Sequence, residues 1–198
     1  MNRELILSLT VGLLAILNPV AALPYYMLSN PKADSSMAKK DAKIMACAAF
    51  LIMLVGWFLG MELLGLFWLE MRYFRIAGWL LIAYNAFLMV TGSLPAGHHE
   101  TWKNVDDISK RGLIIPLTMP LVAGPGSLAY LIGEFAYGSE YYLPLCIAIC
   151  IGTLCFYLII RYSFIIQKIL WKLGIELITR FMWLILLGIG IQVILMNL

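Results

Sequence analysis

Charged residues are scarce in this chain. Only 13% of its 198 residues are Asp, Glu, Lys or Arg, and 63% are hydrophobic, whereas an ordinary soluble domain is about 25% charged. The composition therefore excludes a typical soluble protein. A transmembrane helix needs about 20 mainly apolar residues, and uncharged stretches close to that length or longer occur six times: residues 5–31, 44–61, 76–97, 112–133, 141–160 and 181–198. We expect an all-α integral membrane protein, and we call these stretches spans 1 to 6.

Groups for redox, metal or acid–base chemistry are also few. The chain has four cysteines and no Cys-x-x-Cys motif, so neither a dithiol redox pair nor a zinc site is indicated. His98 and His99 are adjacent in a connection between spans, where a solvated loop explains them better than a metal site. Convergent catalytic groups are missing, and we expect neither an enzyme nor a resident cofactor. The cysteines lie in spans 2 and 5, where cysteine behaves as a small apolar residue: Cys47, Cys146, Cys150 and Cys155.

Lysine and arginine are distributed unequally between the two sides of the membrane. With six spans, the connections after spans 1, 3 and 5 lie on one side, and the opposite side holds only Arg3, Arg72 and Arg75. By the positive-inside rule the richer side is cytoplasmic, and both termini lie outside. The net charge of +3 then reflects topology, and we expect no nucleic-acid partner. The cytoplasmic set is Lys32, Lys39, Lys40, Lys43, Lys103, Lys110, Arg111, Arg161, Lys168, Lys172 and Arg180.

Proline is concentrated in two of the spans with one repeated spacing. Pro19 and Pro24 are five residues apart in span 1, and so are Pro120 and Pro125 in span 4, which also contains Pro116. A proline inside a helix removes one amide donor and clashes with the carbonyl four residues back, at a cost of about 3 kcal/mol. In hydrocarbon the released carbonyls must face protein, water or a ligand. We therefore predict that the helices of spans 1 and 4 are discontinuous.

Spans 3 and 6 extend this repetition. Each begins with an arginine, continues with a tryptophan and then carries an amide that we expect to be buried. Three spans is an odd number, so the halves 1-2-3 and 4-5-6 would enter the membrane from opposite sides, as an inverted-topology repeat. We expect one transmembrane domain, residues 1–198, with repeats at about 1–93 and 112–198 and a cytoplasmic linker at 94–111. The repeated residues are Arg75, Trp79 and Asn85, and Arg180, Trp183 and Gln192.

Two broken helices that meet near the middle of the membrane suit a zwitterionic ligand. Their amide N–H groups form a positive end that favours a carboxylate, and their free carbonyls can accept from an ammonium group. Gly124 and Gly126 flank Pro125 without a Cβ, which permits close backbone approach. These features favour a secondary transporter that works by alternating access.

The same residues resemble a known family. The segment from Asn18 to Pro24, the proline- and glycine-rich run from Pro116 to Gly126, and residues 74–78 (Phe-Arg-Ile-Ala-Gly) are similar to the MarC family, which includes the SnatA-type amino acid transporters and belongs to the LysE-like superfamily of six-helix exporters. The resemblance covers essentially the whole chain. It implies transport of a small neutral amino acid such as glycine or alanine, in the inner (plasma) membrane of a prokaryote. The chain departs from the family at three usual glycines, occupied here by Ala21, Trp79 and Trp183.

Carried onto this sequence, the resemblance implies a substrate site made by the breaks in spans 1 and 4. Asn18 has two interpretations, a cap for the broken helix or a direct ligand contact. Ser127 is of a type that commonly hydrogen-bonds to its own helix. Tyr84, Asn85 and Gln192 are secondary candidates, and helix-to-helix hydrogen bonds are the alternative role for the two amides. The principal site residues are Asn18, Pro19, Pro24, Pro120, Gly124, Pro125, Gly126 and Ser127.

Coupling and substrate class stay open from the residues alone. Glu62, near the outer end of span 2, is the one carboxylate for which a position within a span is considered, so it is either a proton-coupling group or a residue of the outer interface. A coupling ion would be H⁺ or Na⁺, and export is not distinguished from import. The alternatives are transport of another small solute and a membrane thiol–disulfide carrier. The latter requires reactive cysteines beside the prolines of spans 1 and 4.

Overall fold

The computed structural model describes residues 3–29, 34–91, 124–135 and 138–197, and every regular element in these ranges is helical. A 3₁₀ turn at Ser139–Tyr141 precedes the sixth α-helix. The α-helices are α1 (Arg3–Leu17), α2 (Ala22–Ser29), α3 (Ser35–Leu66), α4 (Met71–Val90), α5 (Pro125–Phe135), α6 (Tyr142–Arg161) and α7 (Ser163–Asn197).

Within the described residues, four helical segments are long and apolar enough to cross a membrane: Ser35–Leu66, Met71–Val90, Ser139–Arg161 and Leu177–Asn197. They confirm spans 2, 3, 5 and 6 as helices of spanning length. Span 1 consists of the shorter helices α1 and α2, and α5 is the described portion of span 4. The predicted linker 94–111, together with Pro116 and Pro120, lies outside the described residues.

Two helices extend well beyond the predicted spans. Several residues that we expected in loops are therefore helical. Helix α3 has 32 residues, or about 48 Å, against a hydrocarbon core of about 30 Å. It begins after Asp34, whose carboxylate accepts a 2.7 Å hydrogen bond from the Met37 amide. Only one residue, Tyr162, separates the end of α6 from the start of α7. Lysine and arginine are good helix formers, so the helices continue through these basic segments: Lys39, Lys40, Lys43, Lys168, Lys172 and Arg180.

The helices pack in pairs around one apolar core. Helix α3 packs against α6, and α4 packs against α7. Helix α1 lies on α6, α5 contacts both α3 and α4, and α2 contacts both α6 and α7. Large, fully buried side chains of this core include Leu13, Tyr26, Met45, Met53, Leu131, Ile149 and Phe156.

Glycines allow close approach where α5 meets its neighbours. A Cβ at Gly60 of α3 would overlap Cδ1 and Cγ1 of Ile132 on α5. A Cβ at Gly126 of α5 would likewise overlap Ile82 on α4. Membrane helices lack a hydrophobic driving force for association, so small residues that admit a neighbouring side chain are a main source of their packing energy. Gly126, which we predicted to be a substrate residue, therefore has a packing role against α4.

The contact between Gly60 and Ile132 can be tested with two alanine substitutions on the same helix. We expect Gly60→Ala to destabilise the protein by about 1–3 kcal/mol, because the added methyl group overpacks the α3–α5 contact. Gly65→Ala is the matched control, since its ideal Cβ would meet no atom of the described residues within 4 Å beyond its own turn of the helix, and alanine favours helix over glycine. Thermal unfolding in detergent measures both. A Gly60→Ala protein as stable as Gly65→Ala would contradict the packing role.

Candidate functional site at the break in span 1

The helix of span 1 ends immediately before Pro19. The Asn18 amide still donates to the Leu14 carbonyl at 3.0 Å, and the chain then turns through residues 18–21 before α2 begins at Ala22. Pro19 has no N–H to donate to Ala15, so the helix cannot continue. Asn18 takes a left-handed conformation with φ 38°, which asparagine tolerates better than most residues. The predicted discontinuity of span 1 is confirmed.

Pro24 does not break a helix, contrary to our expectation. It is the third residue of α2, in the first turn, where backbone amides have no acceptor within the helix. The Val20 carbonyl, which we expected Pro24 to release, accepts from the Leu23 amide at 3.2 Å. The break had already occurred at Pro19, so Pro24 lies at the start of a new helix.

Span 4 has a similar arrangement at Pro125, the second proline of its five-residue pair. Pro125 is the first residue of α5, a position where proline is favoured. The buried Gly124 precedes it, and its carbonyl accepts from the Leu128 amide at 3.1 Å and from Ser127 Oγ at 2.9 Å. The Ser127 hydroxyl thus bonds to its own helix. Pro24 and Pro125 both lie in the first turn of a helix, and the chain before Gly124, with Pro120, lies outside the described residues.

Asn18 is the most unusual polar side chain at the break. It is only 2% exposed, and among the described residues neither Oδ1 nor Nδ2 has a hydrogen-bond partner. Each unsatisfied buried group costs about 1–3 kcal/mol. Asn18 therefore does not cap α2 through its side chain within the described residues, and an amide donor and an amide acceptor are available there to a ligand or to water.

The two amides that we expected to be buried in spans 3 and 6 are not fully buried. Asn85 is half-buried, and Gln192 is exposed. The buried positions at the end of α7 are Trp183, Leu186 and Gly190, spaced by three and four residues along one face. At about 100° per residue, Gln192 points roughly 200° away from Gly190, and hence away from α4.

Glu62 and Tyr84 also lie at the surface of the helix bundle. Glu62 is exposed, one turn before the end of α3, and Tyr84 is 59% exposed. The position of Glu62 agrees with the interpretation as a residue of the outer interface. It gives no support for a buried proton-coupling group at this residue.

Sequence reasoning missed a buried polar pair on the helices that follow the break. The Tyr26 hydroxyl on α2 donates to Oδ2 of Asp41 on α3 at 2.9 Å, and both residues are buried. Lysines flank Asp41 in the sequence, so we assigned this segment to the polar connection between spans 1 and 2. The spacing of Ala38, Ala42 and Met45, all buried, would have indicated a helix face that continues into this segment.

Helix α5 has its own polar contacts at the opposite end of the molecule. Arg75 Nη2 on α4 donates to the Gly133 carbonyl at 2.8 Å. Tyr130 donates from its hydroxyl to the Leu9 carbonyl on α1 at 3.4 Å. Glu134, which directly follows the predicted span 4, is the tenth residue of α5. The short helices α2 and α5 are therefore each joined to a neighbouring helix by hydrogen bonds.

Comparison with known proteins identifies the family. The family model for MarC integral membrane proteins matches residues 3–198 of the sequence. A membrane protein of Buchnera aphidicola from Schizaphis graminum is 34% identical, over 92% of this chain and 86% of its own. The membrane protein YhcE of Escherichia coli is 28% identical, over 93% and 87%. The inner membrane protein MarC of Salmonella typhimurium is 26% identical, over 93% and 89%.

No solved structure is significantly similar to the chain. The match to the family model extends over nearly the whole sequence, including both proline-containing segments and the seven helices of the described residues. The chain belongs to the MarC family of integral membrane proteins.

Proposed function

We propose that the protein is a secondary transporter of small neutral amino acids that works by alternating access. The observation that carries the proposal is the buried Asn18 amide, which has no hydrogen-bond partner among the described residues and lies where the helix of span 1 is broken. Breaks of this kind are tolerated in membranes where the irregular backbone lines a cavity or is buried in protein. Discontinuous helices form the substrate sites of several transporter folds.

The chemistry of the break suits an amino acid. The first turn of α2 is a helix N-terminus, which favours a carboxylate. Pro19 has no N–H to donate to the Ala15 carbonyl. That carbonyl and Asn18 Oδ1 can both accept hydrogen bonds from an ammonium group. Ala21 and Ala22 are fully buried beside the break, so space is limited. A small side chain such as that of glycine or alanine fits this arrangement best.

Helix packing supports an inverted repeat. Exchanging spans 1-2-3 with spans 4-5-6 replaces α2 by α5, α3 by α6 and α4 by α7. The contacts of α2 with α6 and α7 then become the contacts of α5 with α3 and α4, while the α3–α6 and α4–α7 pairs map onto themselves. Trp79 and Trp183 are each 5% exposed, on α4 and α7 respectively. This pattern is what a two-fold axis in the membrane plane would produce.

The proposed location is the inner membrane of a prokaryote, with the basic segments cytoplasmic and both termini outside. The inner-membrane location rests on the names of the Salmonella relatives, which are called inner membrane proteins, and the orientation rests on the positive-inside rule. The thiol–disulfide alternative gains no support. All four cysteines are free, and they lie on α3 and α6, away from the prolines of α2 and α5.

Counterflow in proteoliposomes tests the proposed activity. Vesicles that hold the purified full-length protein are preloaded with one unlabelled amino acid and diluted into the same labelled amino acid. We expect counterflow of glycine and alanine and none of large or charged amino acids, because the space beside Ala21 is small. Absence of counterflow for every amino acid in the panel would contradict the function. Exchange of a different solute class alone would favour the broader superfamily alternative.

Asn18→Gly tests the site separately from the fold. Glycine accepts the left-handed backbone conformation without strain but supplies no amide. A hydrogen bond to a charged group contributes about 1.5–3 kcal/mol, so we expect at least about tenfold weaker glycine binding. Titration calorimetry in detergent measures the affinity, and thermal unfolding checks the fold.

Gln192→Ala is the matched control, because it removes an exposed amide from another span, and we expect it to bind glycine as the native protein does. We expect the same of Ser127→Ala, whose hydroxyl bonds to its own helix. An Asn18→Gly protein with native affinity would refute the assignment of Asn18 to the substrate site.

A further inference from the structure

Asp41 is the only acid that is buried among the side chains that the structure describes. It is 8% exposed and lies on α3, two turns after that helix begins. Its Oδ2 accepts the 2.9 Å hydrogen bond from Tyr26, which is 2% exposed and lies one turn into α2. Because α2 starts directly after the break at Asn18, this hydrogen bond connects a titratable group to the half-helix that borders the proposed substrate site.

No positive charge compensates the Asp41 carboxylate within the described residues, where it forms no salt bridge. Tyr26 on α2 is the titratable group in contact with it. Arg161 at the end of α6 is engaged elsewhere, donating to the carbonyl and the hydroxyl of Ser35 at 3.3 and 3.2 Å. The other charged groups at this end of α3 are exposed, and they are Asp34, Lys39, Lys40 and Lys43.

Burial disfavours the ionised form of the Asp41 carboxyl group relative to its neutral form. An ionised carboxylate is costly to remove from water unless it is paired with a cation and fully hydrogen-bonded. The Tyr26 hydroxyl alone meets only part of that requirement. The neutral acid is therefore better suited to the arrangement with α2 packed over Asp41. The ionised form favours an arrangement in which water reaches the carboxylate.

We propose that Asp41 binds the proton that couples transport to a proton gradient, and that Tyr26 links its protonation to the position of α2. The inference rests on the proposed transport function and adds the coupling ion to it. The carboxylate takes one proton from water to become a neutral acid, which stays buried against α2. It returns that proton to water when α2 moves away from α3, and the same movement alters the break at Asn18. Asp41 thereby takes the role that the sequence suggested for Glu62.

Asp41→Asn separates proton binding from the hydrogen bond. Asparagine has the same size and keeps an oxygen that can accept from Tyr26, but it cannot take up a proton at neutral pH. Native protein, Asp41→Asn and Glu62→Gln are reconstituted into proteoliposomes. Each is assayed for glycine counterflow without a gradient, and for glycine accumulation driven by a pH gradient of about one unit, imposed in both directions. If one proton moves with each glycine, that gradient supports about tenfold accumulation.

We expect Asp41→Asn to retain counterflow and to lose accumulation driven by the pH gradient. Glu62→Gln, which removes an exposed carboxylate, should retain both. Gradient-driven accumulation by Asp41→Asn at the native level would overturn the proposal, and so would a native protein that exchanges glycine but does not respond to either pH gradient. Failure of the native protein to exchange any amino acid would instead refute the transport function itself.

A second measurement covers the case in which Asp41→Asn fails to fold. Native protein in weakly buffered detergent solution is mixed with glycine while a pH-sensitive dye reports proton release or uptake. Asp41→Glu, which keeps a titratable carboxyl group, should show the same proton change as the native protein. Glycine binding without any proton change in the native protein would contradict the coupling role of Asp41.

Discussion

The rest of the site depends on one missing hydrogen bond. Pro19 has no amide hydrogen, so the helix of span 1 cannot close its next turn onto Ala15. The chain leaves the helix at Asn18, which takes a left-handed conformation and buries an amide without a partner among the described residues. A new helix then starts with Pro24 in its first turn. Polar backbone and side-chain groups thus lie inside an apolar bundle, where protein, water or a ligand must satisfy them.

The packing around α5 is close. Helix α3 admits Ile132 of α5 at Gly60, and α5 admits Ile82 of α4 at Gly126. Such contacts hold α5 between two longer helices without a hydrophobic driving force. Polar side chains also join both short helices to their neighbours, α2 through Tyr26 and Asp41, and α5 through Arg75. Helix α5 is thus held by close packing together with hydrogen bonds, whereas the Tyr26–Asp41 hydrogen bond links α2 to α3, so α2 is the short helix better suited to movement.

The sequence predicted the helical class, four of the spans and the break at Pro19, because hydrophobic length and proline chemistry are local properties. It did not predict the role of Pro24, since the effect of a proline depends on whether the helix has already ended. Gln192 was expected to be buried, yet the α4–α7 contact leaves its side of the helix exposed. Asp41 was missed for a related reason. Its burial depends on the long extension of α3 and on the position of Tyr26, fifteen residues away in sequence, and neither is visible in local composition.

The most direct test of the central claim is a solid-state NMR measurement on the protein in a bilayer. Glycine labelled with ¹³C and ¹⁵N is bound to protein whose asparagine side chains carry ¹⁵N, and couplings between the ligand and Asn18 are recorded. Hydrogen bonding to Asn18 predicts a coupling that corresponds to a separation of about 3–4 Å and that disappears in Asn18→Gly. Bound glycine that shows no coupling to Asn18, or a coupling unchanged in Asn18→Gly, would contradict the account.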